Sequence, residues 1–260
     1  MPDRIIIQIY EVQRPSEAEK LIETGVDHIG SVILSKEEWK QAGVKETIDC
    51  VAKTQAKSSL IPLFSHPDSV FKVIDYYRPD IVHFCEKLAY QTETSDVCEK
   101  YVRLQKAVRK RFPEISIMRS IPITREGEAV QINSLDLARK FEPWSDYFLT
   151  DTLLTRESSL SLDQQALEGF VGITGLTCNW DTAEKLVKSS RIPVILAGGI
   201  SPDNVAAGIM RTRPAGVDSC TLTNAIDDGG KAVRFKKNLD KVRALVKLVR
   251  ESEKTDFERA

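Results

Sequence analysis

Short runs of apolar, β-branched residues recur along the whole chain, and a stretch patterned for helix lies between each run and the next. Eight runs can be counted: Ile5–Tyr10, His28–Ile33, Leu60–Phe64, Ile81–Cys85, Ile115–Ile121, Tyr147–Thr150, Val194–Ile200 and Val217–Thr221. Most lack strict alternation, the pattern of strands covered on both faces. Strands that alternate with helices build βα units, which crossovers join into a parallel sheet. Eight such units in 260 residues, with no break in composition, match a closed (β/α)8 barrel, which takes about 250 residues. An open doubly wound sheet fits the count less well. The chain therefore reads as one (β/α)8 TIM barrel domain over residues 1–260.

Helix signals fill the gaps. Ser16-x-x-Glu19 has the spacing of a capping box ahead of Leu21 and Ile22. Val70, Val73, Ile74 and Tyr77 fall on one helical face after Pro67. Ser201 before Pro202 has the form of an N-cap with proline in the first turn, ahead of Val205 and Ile209. Leu239, Val242, Val246 and Val249 form the apolar stripe of a last helix whose other face, rich in lysine and arginine, meets solvent.

Composition removes several alternatives. Lys plus Arg number 37 against 38 Asp plus Glu, a formal charge of −1. No whole-chain field then draws in nucleic acid or an anionic membrane, and neither is expected as a partner. No run of about 18 apolar residues occurs, and Glu11 interrupts the N-terminal stretch too early for a signal-peptide core. A soluble, cytoplasmic protein is expected. The five cysteines, Cys50, Cys85, Cys98, Cys178 and Cys220, are scattered and contain no CxxC pair, which argues against a disulfide framework and a structural zinc. His28, His66 and His83 lack metal-ligand spacing and read as structural or surface residues. No metal and no cofactor are expected.

In a barrel of this kind, reactive groups sit at the C-terminal ends of the strands and in the βα loops that follow. The strongest signal there is Leu196-Ala-Gly-Gly-Ile-Ser-Pro-Asp-Asn204, a strand running into Gly198 and Gly199 and then a helix. Paired glycines let backbone N–H groups approach an anion closely, and the helix terminus adds a favourable dipole. By count this is strand seven, and barrel phosphate sites commonly use the loops after strands seven and eight. The next strand ends in Asp218-Ser-Cys220-Thr221, whose hydroxyl and backbone donors suit the other side of the same phosphate. Asp218 itself, inside that strand, reads as a structural hydrogen-bonding group.

These residues resemble a known family. Leu196–Val205, followed by Arg213-Pro-Ala-Gly-Val-Asp218, is similar to the closing segment of phosphoribosylanthranilate isomerase of tryptophan biosynthesis. Thr174-Gly175-x-x-x-Asn179-Trp180 is similar to that family's TG-x-x-x-DW loop, and Tyr147-Phe-Leu-Thr-Asp151 to its strand ending in aspartate. Arg14-Pro-Ser-Glu-Ala18, Thr24–Gly30 and Pro79–Phe84 resemble its first helix, second strand and fourth strand. The resemblance implies a barrel that binds a phosphorylated sugar, with Thr174, Gly175, Gly198, Gly199, Cys220 and Thr221 at the substrate and its phosphate.

The family's reaction is an Amadori rearrangement, an aldose–ketose isomerisation of a ribosylamine. A general acid protonates the furanose oxygen and opens the ring, and a general base removes the C2 proton. The resemblance places the acid, an aspartate ending strand six, at Asp151. It does not carry over the base, a cysteine ending strand one. Alignment on Arg14-Pro15 puts the family's lysine and cysteine at Gln8 and Tyr10, and its next glycine at Glu11. Tyr10, Glu11 and Cys85 are the candidates to replace it.

The family's arginine for the anthranilate carboxylate belongs to the loop after strand two. The corresponding stretch here, Leu34-Ser-Lys-Glu-Glu-Trp39, carries Glu37 and Glu38, with only Lys36 and Lys40 as nearby cations. That stretch reads as the start of a solvent-facing helix with Glu37 and Glu38 in its first turn. Thr152 to Thr174 reads as a long βα loop of the kind that closes as a lid, with Arg156 able to reach a phosphate or carboxylate. Three functions remain open: an isomerase of a phosphoribosylated amine, a divergent paralogue acting on another phosphorylated metabolite, and a non-catalytic phospholigand-binding barrel. The fold does not choose among them.

Overall fold

All eight apolar runs become strands of one closed, all-parallel barrel ordered β1 to β8, with β8 pairing back onto β1. The computed structural model describes residues 4–88, 94–128, 132–154, 170 and 174–257. The strands are β1 (Ile6–Ile9), β2 (His28–Ile33), β3 (Lys57–Pro62), β4 (Ile81–Phe84), β5 (Ser116–Thr124), β6 (Tyr147–Leu153), β7 (Val194–Leu196) and β8 (Gly216–Ser219). Helices α1 (Pro15–Thr24), α2 (Ala42–Val51), α3 (Pro67–Tyr77), α4 (Thr94–Arg111), α5 (Ser134–Phe141), α6 (Trp180–Ser189), α7 (Val205–Thr212) and α8 (Leu239–Phe257) alternate with them. Among the described residues no helix is long and apolar enough to cross a membrane. All five cysteines are free thiols.

The helical stripes face inward as their spacing requires. Val70, Val73, Ile74 and Tyr77 of α3 are buried, as are Val242, Val246 and Val249 of α8. Several boundaries move for local reasons. The capping box does not form, because Pro15 occupies the first turn and makes Arg14 the N-cap, which leaves Ser16 inside the helix. Ser201 caps a turn instead of a helix: its hydroxyl accepts the Asp203 N–H at 3.2 Å, and α7 begins at Val205. No helix starts at Glu37. The Tyr77 hydroxyl donates to the Trp39 carbonyl (2.8 Å) and accepts the Gln41 N–H (2.7 Å), so residues 34–41 run as a loop until α2 begins at Ala42.

One element has no counterpart in the sequence reading. Between β8 and α8 the chain forms an antiparallel hairpin of β9 (Asn224–Ile226) and β10 (Ala232–Lys237). Asp227 holds its turn by accepting the N–H groups of Gly229 and Lys231 at 3.0 and 2.8 Å. Lys237 ties its base to the barrel, with its backbone N–H on Glu17 (2.7 Å) and its ammonium on the Cys220 carbonyl (3.0 Å).

Two apolar layers result from strands buried on both faces. Ile7, Ile9, Ile29, Ile121, Phe148 and Val217 pack outward against the helices, while Val32, Ile61, Ile81, Met118, Leu149 and Ile195 fill the barrel. Polar side chains also enter the barrel, and they pair across it. Gln8 donates to Asp218 (3.1 Å) and meets His28 (3.2 Å). The Tyr10 hydroxyl bonds Ser59 (2.5 Å) and His83 (2.7 Å), and His83 reaches Ser120 (2.8 Å). Buried polar groups must find such partners or lose the energy of their hydration.

Tyr10 occupies this position because residue 30 is glycine. A Cβ on Gly30 would lie 2.2 Å from the Tyr10 ring. Gly30→Ala is therefore expected to destabilise the barrel by about 1–3 kcal/mol through overpacking. Urea unfolding checks this, and an unchanged midpoint would mean that the ring has room to shift.

Candidate active site

A cavity opens at the C-terminal ends of the strands. Tyr10, Glu11, Asp151, Thr174, Gly175, Gly198, Gly199, Cys220 and Thr221 all line it. The structure thus brings every one of these sequence candidates to a single mouth. Cys85, the third candidate base, lines it too. Two residues read as structural, His83 and Asp218, also border the cavity. Arg156 and most of the long loop after β6 lie outside the described residues.

The anion side is built from backbone. β7 ends at Leu196, earlier than the apolar run, because Gly198 and Gly199 take φ values of +87° and +61°. Such angles are open to glycine at little cost. Space excludes other residues as well: a Cβ on Gly198 would lie 2.4 Å from the Thr152 hydroxyl, and one on Gly199 would lie 2.5 Å from the Leu176 backbone. The turn is held by Asn204, whose side-chain amide donates to the Gly199 carbonyl at 2.8 Å. Across from it, a short 3-10 helix begins at Thr221 directly after β8. The Thr221 hydroxyl is buried without a partner, and Gly175 takes φ +66°, where an added Cβ would meet Thr221 and Leu222. Glycine turns, a helical N-terminus and an unpartnered hydroxyl together suit a phosphate dianion.

The proton-transfer side is built from carboxylates. β6 extends to Leu153, so Asp151 belongs to the strand and shares the inward parity of Leu149 and Leu153. Loss of hydration pushes its carboxyl up from 3.8 to about 7, against the opposing hydrogen bond from the Thr152 N–H (2.8 Å). Asp218 is buried in the barrel wall, with Gln8 as its donor. Burial also raises this carboxyl to about 7; Gln8 opposes the shift, and the charge of Asp151 adds to it. Asp218 was legible only as a strand residue, because its approach to the mouth depends on β8 closing onto β1.

The other candidates are held differently. Burial raises the Tyr10 hydroxyl well above its usual value of 10, and Ser59 and His83 already occupy it. Burial likewise raises the Cys85 thiol. His83 is lowered to about 3 by burial and by the charge of Arg119, so its ring stays neutral. Glu11 follows β1 in a left-handed conformation, φ +64°, and its carboxylate meets the guanidinium of Arg234 on β10. Lys36 and Lys40 do not border the cavity: Lys36 lies 3.8 Å from Glu37, and Lys40 lies over the Tyr76 ring at 4.9 Å.

Comparison with known proteins matches residues 113–247 to the family N-(5′-phosphoribosyl)anthranilate (PRA) isomerase. The chain is 27% identical over 255 residues to the N-(5′-phosphoribosyl)anthranilate isomerase of Methanocella arvoryzae, covering 94% of this chain and 97% of that protein. It is 26% identical over 251 residues to the enzyme of the same name from Trichlorobacter lovleyi, covering 95% and 99%. The solved phosphoribosyl anthranilate isomerase of Thermotoga maritima superposes with a TM-score of 0.64 at 16% identity, over 95% of this chain and 99% of its own. Another solved isomerase, in complex with reduced 1-(o-carboxyphenylamino)-1-deoxyribulose 5-phosphate, superposes with a TM-score of 0.62 at 16% identity, over 95% and 99%. The family match spans strands β5 to β8, where the glycine turn and Asp151 lie, and the full-length relatives follow the same barrel throughout: the chain belongs to the phosphoribosylanthranilate isomerase family.

Proposed function

We propose that this barrel binds an N-substituted 5-phosphoribosylamine and isomerises it to the 1-amino-1-deoxyribulose 5-phosphate. The observation that carries this reading is the convergence of Asp151 with the Gly198–Gly199 turn and Thr221 on one cavity. The phosphate occupies the turn and the start of the 3-10 helix, which fixes the ribose against the two raised carboxyls. Asp151, whose carboxyl burial raises to about 7, gives its proton to the furanose oxygen. The C1–O4 bond breaks as the amine lone pair forms the C1=N iminium. Asp218 in its ionised form takes the C2 proton, and the C–H electron pair closes C1=C2 while the iminium nitrogen recovers its lone pair. The enolamine then becomes the ketone by moving its O2 proton to C1. No oxidant or cofactor is needed for this balance.

Asp218 suits the base role better than the other candidates because its partner, Gln8, is neutral and its carboxyl titrates near the working pH. Tyr10 and Cys85 are held protonated by burial, and Glu11 is bound to a guanidinium. We place the protein in the cytoplasm, with a small phosphorylated metabolite as its partner and with no nucleic acid or membrane.

Two measurements test the reading. Turnover of N-(5-phosphoribosyl)anthranilate by the purified protein, followed by fluorescence loss, should exceed that of Asp151→Ala; equal rates remove it. Gly199→Asp sets a carboxylate and a clashing Cβ in the anion site, and the affinity for ribose 5-phosphate should fall by at least about 100-fold. Unchanged affinity would mean that the phosphate sits elsewhere. One observation favours a second reading, ligand binding without turnover: the Tyr10 ring stands at the end of β1 with its hydroxyl already committed.

A further inference from the structure

Lys237 of β10 is 6% exposed, yet both acceptors of its ammonium are uncharged: the Cys220 carbonyl, at 3.0 Å, and the side-chain oxygen of Asn224. The carboxylate of Glu17 accepts the backbone N–H of residue 237 instead. Arg234, the cation three residues earlier on the hairpin, is matched by Glu11. Lys237 has no such match. A buried cation loses its hydration and recovers the cost only against a counter-ion. The side-chain nitrogen of Asn224 is itself buried without a partner, so no hydrogen bond calls for an amide there in place of a carboxylate.

This charge stands against the anion side of the mouth. Cys220 and Thr221 both line the cavity, and the Thr221 hydroxyl is buried without a partner. The Cys220 carbonyl and the Thr221 N–H belong to one trans peptide, in which they point opposite ways. An ammonium on the carbonyl therefore polarises the N–H on the far side. We propose that Lys237 is the counter-charge of the ligand's phosphate, acting through the Cys220–Thr221 peptide, and that it makes the site select a dianion over a monoanion of the same shape. Doubling the charge of the ligand doubles its attraction to a fixed cation. This rests on the phosphate position in the isomerase reading and adds to it the charge state that the site requires.

The test uses ribose 5-phosphate and ribose 5-sulfate at pH 8, where the first is a dianion and the second a monoanion of the same shape. Calorimetric titration of the full chain should give at least about tenfold tighter binding of the phosphate. Asn224→Asp sets a carboxylate on the ammonium and neutralises it within the chain; the variant should fold as stably as wild type and lower that preference by at least about fivefold. Lys237→Met should lower it likewise. A merely structural role predicts a different result: the methionine variant would bind both esters more weakly and keep their ratio, and that outcome overturns the proposal. So does a wild-type ratio near one, a ratio that Asn224→Asp leaves unchanged, or an Asn224→Asp chain that does not fold. If Lys237→Met does not fold, Asn224→Asp decides. Failure of the wild type to bind either ester overturns the phosphate site of the isomerase reading and this proposal with it.

Discussion

Replacing Asp151 with asparagine is expected to lower kcat by about 10²–10⁴-fold while leaving substrate binding nearly intact. Asparagine keeps the shape of the side chain but has no proton to give to the furanose oxygen. The pH profile separates this role from simple packing. With Asp151 and Asp218 both titrating at about 7, the wild-type rate should trace a narrow bell around neutrality. Its alkaline limb follows the loss of the Asp151 proton, and the residual rate of the variant should lack that limb.

The same substitution is expected to stabilise the fold, with a definite pH dependence. The Asp151 carboxyl is raised in the folded state, so the native protein holds this proton more tightly than the unfolded chain. Stability from this group is complete below about pH 4 and is lost as the pH rises through about 7. Asparagine does not titrate. In urea unfolding, Asp151→Asn should therefore exceed wild type at pH 8 by a few kcal/mol at most, and the gap should close toward pH 4. A variant with wild-type turnover, or one less stable at both pH values, would remove Asp151 from the role of desolvated acid.

The second large effect lies outside the mouth. Arg119 of β5 is fully buried, and its guanidinium pairs with Glu86, itself 2% exposed, just past the end of β4. Gln105 accepts its Nε–H at 2.7 Å, and the rings of Phe84 and Phe141 lie 5.3 and 4.6 Å from the guanidinium carbon. Arg119→Met leaves Glu86 as a buried charge without its counter-ion, and should cost about 3–5 kcal/mol in chemical denaturation. Yet Arg119 Nη2 and Glu86 Oε1 have no partners, so the pair is incompletely satisfied. The double variant Arg119→Met with Glu86→Leu should recover most of the loss. A double variant as unstable as the single one would assign the loss to packing instead of charge.

Neither residue of that pair stood out in the sequence, because nothing in a strand pattern says that an arginine and a glutamate 33 positions apart will share one site. The glycine turn was legible for the opposite reason. Gly198 and Gly199 are adjacent, follow an apolar run and precede a helix, so their backbone role is local. Asp151 was found by its place at a strand end, although β6 runs three residues beyond Thr150. The loop at Glu37 and Glu38 was read as a helix start because acidic residues favour a first turn, and a tertiary contact from Tyr77 overrode that preference.

Hydrophobic periodicity is a local property, and it was enough to specify eight strands, the helices that cover them and hence a closed barrel. Barrel closure then sets residues far apart in sequence side by side. Gln8 meets Asp218 across 210 positions, and Glu11 meets Arg234 across 223. Which carboxyls are stripped of water, and which find a cation, depends on those long-range neighbours, so only the folded chain decides it.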